Sequence, residues 1–358
     1  MWKLNKLITL SKDNSIGFLS GNDVINISKE FGFKTSGAEN IPYIDNMYIF
    51  RNLANLYFGQ DNYCKFCDEI DSKIDKDWDL ESNFGKELRM LKNGNYHSHL
   101  KISFSERIIK KFSKLNIDSK DFVRLIIKFG IIMASQQFKF WHAPNIRINE
   151  SNSTILLYDF ESAVIKTFHE NTYFNNFLDM NNFEKKVISN FTEKILKGNY
   201  PDKDKRIRIL EYLLKYGINI ENPIFTRDLF FKKGNFAKIF ILNTFEKYFD
   251  IDMDYVDFVA AIDYRLPQSI YSLDLFPDDE KLLKIFKRIF NKKTFYENSY
   301  TETYLRFMSL LVIDRVNIFI NKKKSTLFNK NYHREIDSIL FLNSDRKIPH
   351  HYCITENY

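Results

Sequence analysis

Eleven glycines and seven prolines in 358 residues leave few places where this chain must turn, while apolar side chains recur at spacings of three and four. Glycine and proline are the residues that interrupt helices, and that spacing puts one apolar stripe on each helix. Helical periodicity is clearest at 102–118, 120–135, 182–197, 203–216, 236–249, 254–262, 278–291 and 302–321, with lysines opposite the stripe. Residues 145–160 alternate instead: Ile146 and Ile148, a Glu150-Ser151-Asn152-Ser153 turn, then Thr154 through Tyr158 predict a β-hairpin. The expected fold is mostly α with a small β-hairpin or sheet. Lys92-Asn93-Gly94-Asn95 breaks an otherwise structured run and divides an N-terminal helical extension, 1–100, from a main domain, 101–358. A second loop falls at Gly198 to Asp202, and neither is a long linker.

With 44% hydrophobic residues the chain has ample material for a buried core. Its 53 basic residues are nearly matched by 46 acidic ones, so a net charge of +7 is compatible with a nucleotide phosphate or nucleic acid but selects neither. No stretch approaches eighteen apolar residues without charge, and Met1-Trp2-Lys3-Leu4 opens no signal-like apolar run, so neither a membrane partner nor a secretory leader is expected. Three cysteines, an odd number, fit a reducing cytoplasm. Phosphate-cradling glycine loops, dinucleotide fingerprints, calcium loops and nucleophile elbows are missing from the sequence. The chain is expected to act as a monomer without a cofactor.

The most informative stretch is Asp263-Tyr264-Arg265-Leu266-Pro267-Gln268, which follows the small and apolar run Tyr255 to Ile262. The run predicts a buried helix ending at Asp263, and Pro267 predicts a bend, with Leu266 outside the helical region and the proline in the first turn of a new helix. Two readings of Asp263 stand together: a capping residue paired with Arg265, or a carboxylate held for chemistry in a site with little water.

At this hexapeptide the chain resembles the queuosine salvage family, the queuosine 5′-phosphate N-glycosylases, which are similar in fold to helix-hairpin-helix DNA glycosylases. Asn235-Phe236-Ala237-Lys238 with Glu246 and Tyr248 resembles the family's lysine-bearing helix. Glu302, Leu305 and Arg306, then Glu335-Ile336-Asp337-Ser338-Ile339-Leu340 and Ile348-Pro349-His350-His351, resemble its C-terminal block in order and spacing. Phe138-Lys139-Phe140-Trp141 echoes an aromatic segment that opens the family's domain. The resemblance covers roughly residues 136 to 358; the first 130 or so residues match nothing in the family, and the loop between Lys238 and Asp263 is several residues shorter than its pattern.

The resemblance implies a DNA-glycosylase-like helical fold and hydrolysis of the bond between a modified nucleobase and its sugar, with queuosine 5′-phosphate as substrate and queuine as product. Breaking that bond builds positive charge on the anomeric carbon, which Asp263 would stabilise, or water would attack with its help. Lys238 would balance charge or protonate the leaving group. Arg265 and Arg306 would grip a phosphate bidentately, or either would pair with Asp263. His350 and His351, the latter favoured, would contact ribose, phosphate or base, or stand idle at the surface. Tyr264, Phe140 and Trp141 offer rings for stacking.

Two other functions fit the same residues. One is a DNA glycosylase excising a modified base, in repair or in defence against modified phage DNA, with DNA as partner; the chain lacks the Leu-Pro-Gly-Val-Gly-like hairpin that binds a DNA phosphate in many such enzymes. The other is a non-catalytic nucleotide-binding protein, against which the joint presence of Asp263 and Lys238 argues. Cys64 and Cys67 with His97 and His99 are weak metal candidates, because His-x-His is tighter than the usual ligand spacing and the gap to the cysteines is long. Activity is therefore expected to survive dialysis against a strong chelator. Stoichiometric zinc in the purified protein, with loss of structure on its removal, is the outcome that would restore those four residues as a metal site.

Overall fold

The computed structural model describes residues 47–96, 228, 230–249, 258–296, 299–324, 330–345 and 347–354. The described residues are mostly helical: α1 Met47–Phe58, α2 Gln60–Asp79, α3 Asn83–Lys92, α4 Lys232–Phe249, α5 Arg265–Ser272, α6 Glu280–Phe290, α7 Tyr300–Lys324 and α8 His333–Leu342. Two short strands complete them, β1 Thr294–Tyr296 and β2 Tyr352–Ile354. The chain divides into two compact units. The first holds α1 to α3, the turn before α4 and everything described from Phe258 onward; the second contains α4 from Lys233. The expected elements at 102–118, 120–135, 182–197 and 203–216 and the hairpin at 145–160 lie outside the described residues.

The first unit is organised around α7, which packs against α1, α2, α3, α5, α6 and α8. Such a helix needs apolar residues all round and not on one stripe. The sequence from Leu305 to Ile320 meets that need, with Leu305, Met308, Leu310, Leu311, Val312, Ile313, Val316 and Ile320 all fully buried. Helices α1 to α3, from the stretch expected to be an extension, share this core through Phe50, Ile70, Ile74, Phe84 and Leu88. Polar residues on α7 are matched by the neighbours. Arg51 grips buried Asp314 through Nε at 2.7 Å and Nη2 at 2.6 Å, and Arg315 donates to Asp71.

Local chemistry fixes the helix ends. Ser82 accepts from the backbone N–H of Gly85 at 2.9 Å to start α3, and Asp279 accepts from Leu282 at 2.8 Å to start α6. Gly85 is required by closeness, since a Cβ there would lie 2.1 Å from the Asp77 carbonyl oxygen where α2 meets α3. The amphipathic pattern expected at 278–291 becomes α6, which buries Leu282, Ile285, Phe286 and Ile289.

Two expectations near the hexapeptide are corrected. Residues 258–263 form no helix; they run through the core as irregular chain. Their backbone is bonded to side chains in place of a helical ladder: Asn331 donates to the Phe258 carbonyl at 2.8 Å, Ala261 N–H donates to Asp337 at 2.9 Å, and Arg306 donates to the Ile262 carbonyl at 2.7 Å. A short run buried on every side carries no periodicity that separates the two conformations. Leu266 also belongs to α5, which begins at Arg265, so Pro267 is its third residue. An N–H in the first helical turn has no intrahelical partner, so proline costs little there.

β1 and β2 pair in parallel, Thr294 with Tyr352, Phe295 with Cys353 and Tyr296 with Ile354. This ladder brings His350 and His351 back to the core from the far end of the sequence. Leu311→Ala in α7 is expected to cost about 2–5 kcal/mol of unfolding free energy in a denaturant titration. Leu283→Ala, at a position 67% exposed on α6, should change stability by less than ~0.5 kcal/mol. Equal losses at the two positions would contradict the orientation of α6.

Candidate active site

Four segments of the first unit converge on Asp263. The Asp228 carboxylate accepts from the backbone N–H of Phe230 at 3.2 Å and of Lys232 at 2.8 Å, which tightens the turn entering α4. Phe231 in this turn has φ of +49°, a strained conformation for a bulky residue, and is fully buried. The outcome is that Lys232, a lysine only 4% exposed, is aimed inward with Nζ 3.9 Å from Asp263 Oδ2.

Arg306, on α7, locks this turn to the chain that carries Asp263. Its Nη1 and Nη2 donate to the two Asp228 oxygens at 2.6 and 2.8 Å, Nη1 also donates to Glu302 at 3.0 Å, and Nε and Nη2 donate to the Ile262 carbonyl. The guanidinium lies 4.4 Å from the centre of the Phe230 ring. Such bidentate, charge-assisted bonds are the strong ones inside a protein. Arg306 is thus turned to protein acceptors next to Asp263, not to Asp263 itself.

Asp263 does two things at once. Its Oδ1 accepts from the Arg265 N–H at 2.7 Å, at the positive end of α5, while Oδ2 looks to Lys232. The capping reading is therefore present in the structure, but the cation beside the carboxylate is Lys232. Arg265 donates to Gln268 Oε1 at 3.1 Å and lies 5.3 Å from the Tyr264 ring centre. Gln268 in turn donates to the Ile348 carbonyl, so the last residue of the hexapeptide holds the C-terminal segment. The His350 and Tyr264 rings are 4.7 Å apart, and buried His351 meets Phe295 edge-on at 5.8 Å.

Asp337, on α8, is the fourth element. The residue is partly exposed, and the burial of its carboxyl pushes its pKa up to about 7. The negative charge of Asp263 adds to the rise; the Ala261 N–H and Lys232 oppose it. Burial likewise pushes Lys232 below the usual lysine range, resisted by Asp263, Asp337 and Asp228 and aided by Arg306. Burial lowers His350 as well, and it takes His351 down to about 3, with Arg306 and His350 adding to that fall.

The structure thus gathers Asp263, Tyr264, Arg265, Arg306 and His351 in one unit, with His350 beside them. Lys238 is buried on α4 in the second unit. Phe140, Trp141, His97 and His99 lie outside the described residues. Cys64 is exposed and Cys67 buried on α2, burial raising the Cys67 thiol, and no cluster of three potential metal ligands occurs among the described residues. Nor is any helix among them long and apolar enough to cross a membrane. Asp228 and Lys232 were missed by sequence reasoning, although an aspartate just ahead of a helical pattern is a capping signal that could have found the first. No family model, curated protein or solved structure matches the chain.

These ionisations fix how stability responds to acid. His351, and His333 with a pKa lowered to about 4 by burial in α8, stay neutral in the fold but protonate near 6.5 when unfolded. From pH 6.5 down to about 4 the unfolded state therefore binds more protons at these two positions, and each histidine costs the fold about 1.4 kcal/mol per pH unit. Asp337 has the opposite sign: its folded pKa lies above its unfolded one, so its contribution grows as pH falls below about 7 toward 4. Asp337→Asn should make the acid loss of stability steeper by about 1.4 kcal/mol per pH unit over that window, read by denaturant titration at stepped pH. Parallel curves for the two proteins would contradict the raised carboxyl.

Proposed function

We propose that the protein is an N-glycosidase with a DNA-glycosylase-like helical fold, hydrolysing the bond between a modified nucleobase and its sugar. The arrangement that supports this reading is a partly exposed carboxylate, 19% exposed at Asp263, fixed by a helix start and a lysine at the edge of a buried ionic cluster. In that cluster Asp228 and Glu302 are both paired with Arg306, while Asp263 lies beside Lys232. A fixed carboxylate suits a reaction whose transition state is a sugar cation, because prearranged charge is usually the largest catalytic contribution.

In this reading Asp263 holds the anomeric carbon as the bond to the base breaks and takes the proton of the water that attacks it. Tyr264 and His350 supply ring faces for the base, and Arg265, on the same helix start, supplies charge for a phosphate. Lys232 stands beside the Asp263 carboxylate, Nζ 3.9 Å from Oδ2. The resemblance favours queuosine 5′-phosphate as substrate and queuine as product.

Asp263→Asn is expected to keep the melting temperature within a few degrees and to lower base release by about 10²–10³-fold. Free base is measured by chromatography after incubation with queuosine 5′-phosphate and, separately, with duplex DNA carrying modified bases. Release from DNA alone would move the activity to DNA base excision, and tight nucleotide binding without release would make the protein a binding module. Full turnover by the variant would remove Asp263 from the chemistry.

A further inference from the structure

Sugar-cation stabilisation completes only half of the reaction, since the departing base also leaves with a pair of electrons and needs a proton. Asp337 meets the requirements for that role. Its Oδ2 accepts from Ala261 N–H at 2.9 Å, two residues before Asp263, which fixes the carboxyl against the segment that carries the catalytic carboxylate. Its Oδ1 has no protein hydrogen-bond partner among the described residues. The helix that carries it packs against α3, α5 and α7, so the carboxyl is placed by rigid elements.

We propose that Asp337 is the proton donor to the departing base, paired with Asp263 in the glycosidase reaction set out above, on which this assignment rests. The carbon–nitrogen bond breaks with its electron pair going to the base, and the Asp337 proton joins the base. Water adds to the anomeric carbon and gives one proton to Asp263. That proton passes to solvent, and Asp337 is recharged from solvent, so one water is consumed for each base released.

The surrounding charges agree with a carboxyl that holds a proton near neutrality. Asp263 and Lys232 act on it with opposite signs, and burial decides the balance in favour of the acid form. Other charged groups on the packed elements are engaged elsewhere: Arg265 with Gln268 on α5, Arg306 with Asp228 and Glu302 on α7, Asp314 with Arg51, Glu87 on α3 with Asn343, and Arg334 with Glu335 on α8 itself. Two carboxyls whose environments separate their protonation are the usual arrangement for dividing acid and base roles.

The test compares wild type, Asp337→Asn, Asp337→Glu and Asp263→Asn across pH, on two nucleotides whose bases differ in leaving ability. Wild-type rate on the poor leaving group should fall above pH 7. Asp337→Asn should lose that alkaline fall together with about 10²–10⁴-fold in kcat on the poor leaving group, and much less on the good one. Asp263→Asn should lose both substrates alike. Asp337→Glu keeps a carboxyl and should restore part of the rate with the alkaline fall displaced, which covers the case in which the asparagine variant is poorly folded. An asparagine variant that is folded and loses equally on both substrates, or keeps the alkaline fall, overturns the assignment while leaving Asp263 in place. Wild type that releases no base from any nucleotide or DNA overturns the glycosidase reading and this assignment with it.

Discussion

Burying the Arg306 guanidinium, which is 1% exposed, costs several kcal/mol of lost hydration, and that cost is offset only if every donor finds an acceptor of good geometry. Three separate pieces of chain supply those acceptors: Asp228 ahead of α4, Glu302 one turn earlier on α7, and the Ile262 carbonyl. Each is thereby forced to a defined place around one side chain. Since Ile262 immediately precedes Asp263, the position of the Asp263 carboxylate follows from the demands of a buried cation 44 residues further along the chain than Ile262. Loss of Asp228 or Arg306 alone would strand the opposite charge, whereas an apolar pair of matching volume would not.

That constraint also explains why the chain tolerates strain beside the site. Phe231 adopts a left-handed backbone because Asp228 binds the N–H groups on either side of it, and the helix that follows starts with Lys232 turned inward. Burial opposes the charge on Lys232, and the nearby Asp263 favours it. Asp337 stands on the other side of this balance. Its carboxyl has the backbone N–H of Ala261 and, among the described residues, no ion-pair partner, so burial outweighs the influence of Lys232 and raises its pKa to about 7.

The irregular run 258–263 is the backbone's part of the same design. Ordinary helices and strands satisfy their own peptide groups; this segment gives its carbonyls and N–H groups to Asn331, Asp337 and Arg306. Each bond ties a side chain from α7, α8 or the turn before α8 to the chain that leads into Asp263. The price of an irregular core segment is thus recovered as fixed geometry at the site.

The sequence by itself determined the helical class, because scarce glycine and proline and a stripe of apolar residues act through local geometry; α6 and α7 appear close to where the periodicity puts them, and α4 contains the expected 236–249. It also pointed to the hexapeptide, since Asp263, Arg265 and Pro267 carry their preferences for a helix start in their own chemistry. Only the tertiary structure decided that 258–262 is not a helix, because its hydrogen-bond partners lie on α7 and α8, far along the chain. The same holds for the cationic side chain beside Asp263, which is Lys232 and not that of its neighbour Arg265, and for the ionisation of Asp337. Burial and through-space charge depend on which distant residues are brought together, and no local pattern records that.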